Sequence, residues 1–277
     1  MKQNGAYYEL IRRAEDAIGF GNYDDAVEAL SEAKIIYDTR VEAYLNMIPF
    51  DIQSSEDSER YANMYYIMGN ASYDTEDYPN ARKFLEYALQ YYEKNGLYYR
   101  DYAITLAKLG QIEEAQEQLD KGIELGITQD SIYMAEGEIA HVKGQYKEAA
   151  EYLEQAIILT EDSSMKKRAL LLCSDVYRSM GSETADKEVT LLEQNLDQFE
   201  GGDRMALEER LAGAYVRMAQ ADEANANEYY EKALTQFQSV YDSGYITYQL
   251  RQNIAILYEN MDMLDVMIQE LRDGGWL

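Results

Sequence analysis

The chain has 277 residues, of which 47% are hydrophobic and 28% are charged, a composition typical of a folded protein rather than a disordered one. Twenty-five basic and 52 acidic residues give a net charge of −27. Such a charge opposes binding to nucleic acid and to anionic membranes, because both depend on lysine and arginine. Two prolines and the absence of a long apolar run predict a mainly helical protein with no membrane span.

A 34-residue period organises most of the chain. The segment from Gly21 to Ala33, GNYDDAVEALSEA, is matched by the segment from Gly144 to Ala156, GQYKEAAEYLEQA. Two further copies of the same frame begin at Glu76 and Gly110. Because Glu76, Gly110 and Gly144 are each 34 residues apart, the copies are in phase and indicate a tandem repeat.

Each copy predicts two helices joined by a tight turn. In the first helix, residues spaced by three and four form one stripe with a small residue at its centre, such as Gly69 or Ala103. In the second helix, alanines flank a large residue, as Ala81 and Ala88 flank Leu85. Small residues allow two helices to approach closely. A glycine at the turn permits a left-handed backbone that ends the first helix.

This pattern resembles the tetratricopeptide repeat. The resemblance implies an all-α fold, an α-solenoid in which antiparallel helix pairs form a right-handed superhelix, and it predicts one domain over residues 1–277. Seven repeats are expected, with the later ones less regular. They cover about 7–40, 62–95, 96–129, 130–163, 167–199, 205–240 and 248–277.

Three segments depart from the regular repeat. The interval 41–61 is predicted to form an irregular extra helix with a loop, either as a tolerated insertion or as a partner-specific feature. A loop is also predicted at Glu200–Asp203, where two glycines are adjacent. At the C-terminal end, Trp276 is expected either to cap the last short helix or to contact a second chain, so that a dimer through this end is an open alternative.

Catalytic chemistry is not predicted for this chain. His141 and Cys173 are its only histidine and cysteine, and the resemblance puts His141 on the concave face and Cys173 on the packing stripe. A Cys–His nucleophile is therefore not expected. Neither a cofactor nor a metal ion is predicted, and the carboxylates around Glu117 are interpreted as a solvated outer face.

The resemblance implies a scaffold that binds a peptide or helical segment of another protein in a concave groove. The alternative is an accessory or regulatory component of an extracytoplasmic bacterial assembly, with its export signal missing from this sequence. The expected location is accordingly cytoplasmic, or extracytoplasmic and lipid-anchored. Asp101 stands where relatives that clamp a terminal carboxylate carry asparagine, so that binding mode is not expected.

The groove positions of the family, transferred to repeats two to six, carry five basic and four acidic residues, a net charge of +1 in a chain of −27. Two interpretations remain open: an amphipathic partner whose carboxylates contact the arginines, or internal ion pairs such as that of Arg178 with Asp175. The predicted contact residues are Asn63, Tyr66, Asn70, Tyr73, Arg100, Ile104, Lys108, Met134, His141, Arg168, Arg178 and Arg217.

Overall fold

The computed structural model of the chain describes Arg13, Ala29 and residues 55–244 and 247–263. Residues 55–263, apart from the two that are not described, form eleven α-helices and two short 3₁₀ helices, Ser182–Thr184 and Glu223–Asn225, and contain no strand. The α-helices are α1 (Ser55–Asp74), α2 (Tyr78–Tyr91), α3 (Gly96–Lys108), α4 (Ile112–Glu124), α5 (Gln129–Val142), α6 (Tyr146–Leu159), α7 (Ser163–Met180), α8 (Ala185–Leu196), α9 (Gly201–Ala221), α10 (Ala226–Asp242) and α11 (Tyr248–Asn260).

The helices fall into two compact units, an N-terminal unit of residues 1–142 and a C-terminal unit of residues 143–277. In the N-terminal unit, α1 packs against α2 and α3 against α4, while α3 also contacts α5. In the C-terminal unit, α6 packs against α7, α9 packs against both α8 and α10, and α7 also contacts α9. This confirms the predicted all-α fold of stacked antiparallel helix pairs. The single domain over 1–277 stays a prediction.

Small residues set the distance between paired helices, as the repeat pattern predicts. A Cβ atom added at Gly69 on α1 would lie 2.7 Å from Cγ of Leu85 on α2, so no larger residue fits there without movement. Leu85 and its flanking residues Ala81 and Ala88 are fully buried. The same buried trio recurs on α6, where Ala149 and Ala156 flank Leu153.

Tyrosine rings fill much of the interface between α1 and α2. The ring of Tyr65 lies 5.2 Å from that of Tyr87, 5.6 Å from that of Tyr91 and 6.5 Å from that of Phe84, measured between centroids. In the C-terminal unit the core is mostly aliphatic, and Cys173 is fully buried within it. The predicted place of Cys173 on the packing stripe is therefore confirmed.

The turn inside each repeat requires a left-handed residue. Gly110 and Gly144 have φ values of +79° and +74°, as the pattern predicts. At the equivalent position of the preceding repeat stands Glu76, with a φ of +62°. A non-glycine residue in this region carries a conformational cost of about 1 kcal/mol, because Cβ crowds the following carbonyl oxygen.

Two predicted boundaries need correction. Helix α1 begins at Ser55, so residues 55–61 of the predicted insertion are helical. The loop predicted at Glu200–Asp203 is wrong, because α9 begins at Gly201. Gly201 enters the helix with a φ of +55°, and this explains why glycine occurs at a helix start.

Several predictions fall outside the described residues. They concern the repeat at 7–40, the stretch 41–54, and the C-terminal segment 264–277 with Trp276. In the repeat at 7–40, only Arg13 and Ala29 are described, and both are helical. Within the described part, the eleven helices correspond in order to the helices of the repeats predicted from residue 62 onward. No helix among these residues is long and apolar enough to cross a lipid bilayer.

Candidate partner-binding surface

The first helices of three successive repeats are linked by polar side chains in the N-terminal unit. The hydroxyl of Tyr66 on α1 donates to Oδ2 of Asp101 on α3 at 2.6 Å. Nε of Arg100 donates to Oδ1 of the same carboxylate at 2.7 Å, and Nη1 of Arg100 donates to Oγ of Ser131 on α5 at 3.1 Å. One chain of hydrogen bonds therefore runs from α1 through α3 to α5.

A second link joins the same three helices around Glu138. The hydroxyl of Tyr73 on α1 donates to Oε2 of Glu138 on α5, and Nζ of Lys108 on α3 lies 3.7 Å from that oxygen. Glu138 is buried, as are Asp101 and Arg100. Because each buried carboxylate has both a cationic partner and a tyrosine hydroxyl, its desolvation is offset by direct contacts.

These residues and their neighbours define the first-helix face of the N-terminal unit. Its predicted members differ in how far they can be reached from solvent: Asn63 is exposed, whereas Tyr66, Asn70, Tyr73, Lys108 and His141 are half-buried. The first-helix face consists of Asn63, Tyr66, Asn70, Tyr73, Arg100, Asp101, Lys108, Ser131, Glu138 and His141.

Two predicted contact residues lie in the core rather than on this face. The side chains of Ile104 and Met134 are only 1% and 2% exposed. Helix α3 contacts α1, α2, α4 and α5, which covers the stripe that carries Ile104. A partner would therefore reach these two side chains only after the helices had moved, and they do not act as apolar anchors in this structure.

Asp101 is matched by its neighbours rather than left as an unpaired charge. Burial, and then the negative charge of Asp101, raises the pKa of the Tyr66 hydroxyl. Tyr66 therefore remains protonated at neutral pH and keeps its hydrogen for Asp101. The ring of Tyr66 is fixed by the ring of Tyr98, with 4.5 Å between centroids.

In the C-terminal unit, arginines of two first helices share one carboxylate. Nη2 of Arg178 donates to Oδ1 of Asp175 at 2.7 Å, which confirms the internal ion pair expected in one of the two interpretations of the sequence. Nη1 of Arg210 on α9 donates to the same oxygen at 2.5 Å. Arg210 is absent from the predicted contact residues, although its spacing of seven from Arg217 puts both on one side of α9.

Arg217 makes a second connection in the C-terminal unit. Its Nη2 donates to Oε2 of Glu188 on α8, which also accepts from Oγ of Ser174 at 2.5 Å through Oε1. Its Nη1 donates to the carbonyl oxygen of Gly213 at 3.2 Å. Arg168, the remaining predicted arginine, is half-buried on α7. Arg168 and Arg178 therefore lie on α7 and Arg217 on α9, and carboxylates hold Arg178 and Arg217.

The two residues that could suggest nucleophilic chemistry are poorly suited to it. Burial, followed by the charges of Glu154 and Glu188, raises the pKa of the Cys173 thiol, which therefore stays protonated. His141 belongs to the N-terminal unit and Cys173 to the C-terminal unit. Among the residues that the structure describes, no group of three or more histidine, cysteine, aspartate or glutamate side chains could hold a metal ion.

Comparisons with known proteins agree with the repeat pattern. Two family models described as tetratricopeptide repeat match the chain, one over residues 73–126 and the other over residues 130–162. No curated protein matches its sequence.

Solved structures share the fold at low sequence identity. A tetratricopeptide repeat protein from Parabacteroides merdae is 14% identical, with a TM-score of 0.51 over 91% of this chain and 99% of that one. Yeast Tom70 is 14% identical, with a TM-score of 0.56 over 96% of this chain and 62% of that one. The structure of the APC/C hetero-tetramer Cut9–Hcn1 is 14% identical, with a TM-score of 0.55 over 92% of this chain and 46% of that one. The chain thus spans less than two thirds of the last two proteins. The repeat frame, the stacked helix pairs and the two family matches together show that the chain contains tetratricopeptide repeats.

Proposed function

We propose that this chain is a non-catalytic binding module that receives a segment of another protein along its first helices. Tetratricopeptide repeats are generally protein–protein interaction modules and are usually not catalytic. The observation that carries the proposal is the hydrogen-bonded chain from Tyr66 through Asp101 and Arg100 to Ser131. It fixes polar side chains of three successive first helices in one arrangement before any partner binds.

Such prior fixation favours binding. A side chain that is already held by its neighbours loses little conformational entropy when a partner docks, and an unfixed one costs about 0.5–1.5 kcal/mol. Asn63 and Asn70 add amide groups that can both donate to and accept from a peptide backbone. The first-helix face therefore suits an extended or helical polypeptide better than a small charged metabolite.

Site-specific photo-crosslinking tests the proposal directly. A photoreactive amino acid replaces Asn63 or Arg178, which are exposed on first helices, and Glu117, which is exposed on the second helix α4. Each variant is irradiated in a lysate of the source organism and the products are identified by mass spectrometry. We expect the same partner from both first-helix positions and none from Glu117.

The recovered partner is then purified and its affinity is measured against the unmodified chain. A partner that crosslinks from Glu117 as efficiently as from Asn63 and Arg178 would contradict the proposal. Crosslinking of the chain to a second copy of itself at all three positions would also contradict the proposal, since it would indicate self-association without a separate partner.

A further inference from the structure

The C-terminal unit separates its charges between first and second helices. The first helices α7 and α9 carry seven basic and four acidic residues, a net charge of +3. The second helices α8 and α10 carry two basic and six acidic residues, a net charge of −4. In these four helices of the C-terminal unit, the basic residues are therefore concentrated on the first helices, where a partner is proposed to bind.

Two stripes of this basic surface lie next to each other. One side of α7 carries Arg168, Asp175 and Arg178, which are spaced by seven and three residues. One side of α9 carries Arg210, Gly213 and Arg217, which are spaced by three and four residues. The contact of Arg210 with Asp175 joins the two sides. We name this surface the α7–α9 face, and its members are Arg168, Asp175, Arg178, Arg210, Gly213 and Arg217.

Gly213 lies in the interior of α9, and no described residue packs so closely against it that glycine is required. Among the described residues, a Cβ atom added there would approach only Nη1 of Arg217, at 3.8 Å, which is ordinary contact. Gly69, in contrast, is required by the close approach of Leu85. Glycine in a helix interior costs about 1 kcal/mol relative to alanine. Gly213 therefore leaves a strip of bare, half-exposed backbone on the α7–α9 face at the expense of helix stability.

Arg217 stands beside this strip with an unused hydrogen-bond donor. Its guanidinium is oriented by Glu188 and by the carbonyl oxygen of Gly213. Its Nε, however, is buried and has no hydrogen-bond partner among the described residues. Because this nitrogen is enclosed, a peptide reaches Arg217 only through the 20% of its side chain that is exposed. Arg178 lies on the neighbouring helix with 56% of its side chain exposed.

We infer that the α7–α9 face binds an acidic peptide segment of a partner protein, with the peptide backbone against Gly213 and its carboxylates on Arg178 and Arg217. The inference rests on the proposed function and adds the chemistry of the partner. The four arginines outnumber Asp175, the contacting Glu188 and the adjacent Glu209, which leaves a net charge of +1. Guanidinium groups bind carboxylates in a planar, two-point geometry, and a basic segment would instead be repelled.

The test selects ligands without assuming a partner. The whole chain is immobilised and used to select peptides from a random library displayed on phage, and the selected pool is sequenced. We expect aspartate and glutamate to be enriched over the starting library, and the affinity of the best synthetic peptide to fall as salt concentration rises. Enrichment of lysine and arginine, or no enrichment of acidic residues, overturns the inference.

Variants then locate the bound peptide. Gly213→Leu fills the space above the backbone strip, and we expect it to weaken binding by about tenfold or more. We also expect it to leave the melting temperature unchanged or higher, since leucine favours helix and a Cβ atom at this position makes only an ordinary contact with Nη1 of Arg217, at 3.8 Å. R178E should weaken binding as well, whereas Glu117→Lys on α4 should not. Acidic peptides that bind Gly213→Leu and R178E normally would refute the location.

The outcomes separate the inference from the proposed function. A partner that crosslinks from Asn63 and Arg178 but contains no acidic segment at the crosslinked site leaves the proposed function standing and removes the inference. Crosslinking from Glu117 instead removes the proposed function, whatever the peptide library gives. The acidic segment could instead belong to a second copy of this chain, and sedimentation velocity tests this alternative. If the unmodified chain is a dimer and the R178E variant is a monomer, the separate partner is replaced and the inference is overturned.

Discussion

The hydroxyl of Tyr102 on α3 donates a hydrogen bond of 2.8 Å to Oε1 of Glu86 on α2, the second helix of the preceding repeat. Equivalent bonds link α7 to α6, from Tyr177 to Glu154, and α9 to α8, from Tyr215 to Glu193. A tyrosine contributes both a large ring for the helix interface and a donor for a glutamate of an acidic chain. This dual use gives a physical reason for 27 tyrosines beside only 5 phenylalanines.

The first prediction concerns this bond between repeats. Tyr102→Phe keeps the ring and removes the donor, so we expect the free energy of unfolding to fall by about 1 kcal/mol. Urea denaturation followed by circular dichroism measures the change. Tyr248→Phe is the matched control, because Tyr248 is 77% exposed and its hydroxyl accepts a hydrogen bond from Nε2 of the exposed Gln252. Equal losses from both variants would show that the bond to Glu86 has no particular role.

The second prediction concerns alkaline pH. Burial, followed by a carboxylate partner, raises the pKa of the hydroxyls of Tyr66, Tyr102, Tyr177 and Tyr215 above the ordinary value of 10.0. A group whose pKa is raised by folding holds its proton more tightly in the folded state, so its stabilising contribution is complete below pH 10 and is lost as the pH rises further. We expect the free energy of unfolding to decrease above pH of about 10, by up to about 1.4 kcal/mol per pH unit for each such tyrosine.

Urea titrations at a series of alkaline pH values measure this decrease. Tyr102→Phe removes one of the titrating groups, so the variant should show a smaller slope than the unmodified chain. A stability that stays constant up to a pH well above 10, or a slope unaffected by the substitution, would contradict tyrosine ionisation as the cause of the decrease.

The third prediction concerns the turn between α1 and α2. Glu76 occupies the left-handed conformation that Gly110 and Gly144 occupy in the next two repeats. We expect Glu76→Gly to raise the free energy of unfolding by up to about 1 kcal/mol, since it relieves the crowding at Cβ. Gly110→Ala is the reverse change and should lower it by a similar amount. Thermal denaturation measures both, and a loss of stability in Glu76→Gly would mean that the carboxylate has a role that outweighs the backbone.

The repeat frame is predictable from sequence because it depends on local spacing. Small residues at Gly69 and turn glycines such as Gly110 mark the same point of each helix pair, whatever surrounds the pair. The contacts between repeats are less predictable. Tyr66 reaches Asp101 across 35 residues, and Arg210 reaches Asp175 across the same separation, so both depend on how one pair is placed on the next.

Two errors have the same physical origin. The repeat pattern puts Ile104 on the surface because its position is often solvent-facing in the family, yet α3 is covered by four neighbouring helices. The two glycines at 201 and 202 predict a loop because glycine weakens helices, yet the left-handed entry of Gly201 makes it suitable for the start of α9. In both cases tertiary packing overrides a correct local tendency.

The fourth prediction concerns the buried charges of the first-helix face. Asp101→Ala leaves the buried guanidinium of Arg100 without its carboxylate, so we expect a loss of about 3–5 kcal/mol in the free energy of unfolding. Asn63→Ala, on the same face but exposed, should change it by less than about 0.5 kcal/mol. A double-mutant cycle of Tyr66→Phe with Asp101→Asn should give a coupling of about 1 kcal/mol. A coupling of zero would show that the hydrogen bond between Tyr66 and Asp101 contributes nothing to stability.

The last prediction separates partner binding from stability in the C-terminal unit. Arg178 pairs with Asp175 at the surface, where such a pair contributes only about 0–1 kcal/mol, and Asp175 keeps Arg210 when Arg178 is replaced. The double variant Arg168→Glu with Arg178→Glu should therefore melt close to the unmodified chain while binding its partner several-fold more weakly.

Arg217→Glu is unsuitable for this test, because it leaves Glu188, which is 1% exposed, facing a second carboxylate. We expect it to destabilise the unit. Calorimetric titration with the crosslinked partner measures the affinity, and Glu117→Lys with Glu124→Lys on α4 is the control, with a charge change of equal size and opposite sign. Normal binding by the arginine variant together with lost binding by the α4 variant would move the partner from the first helices to the second.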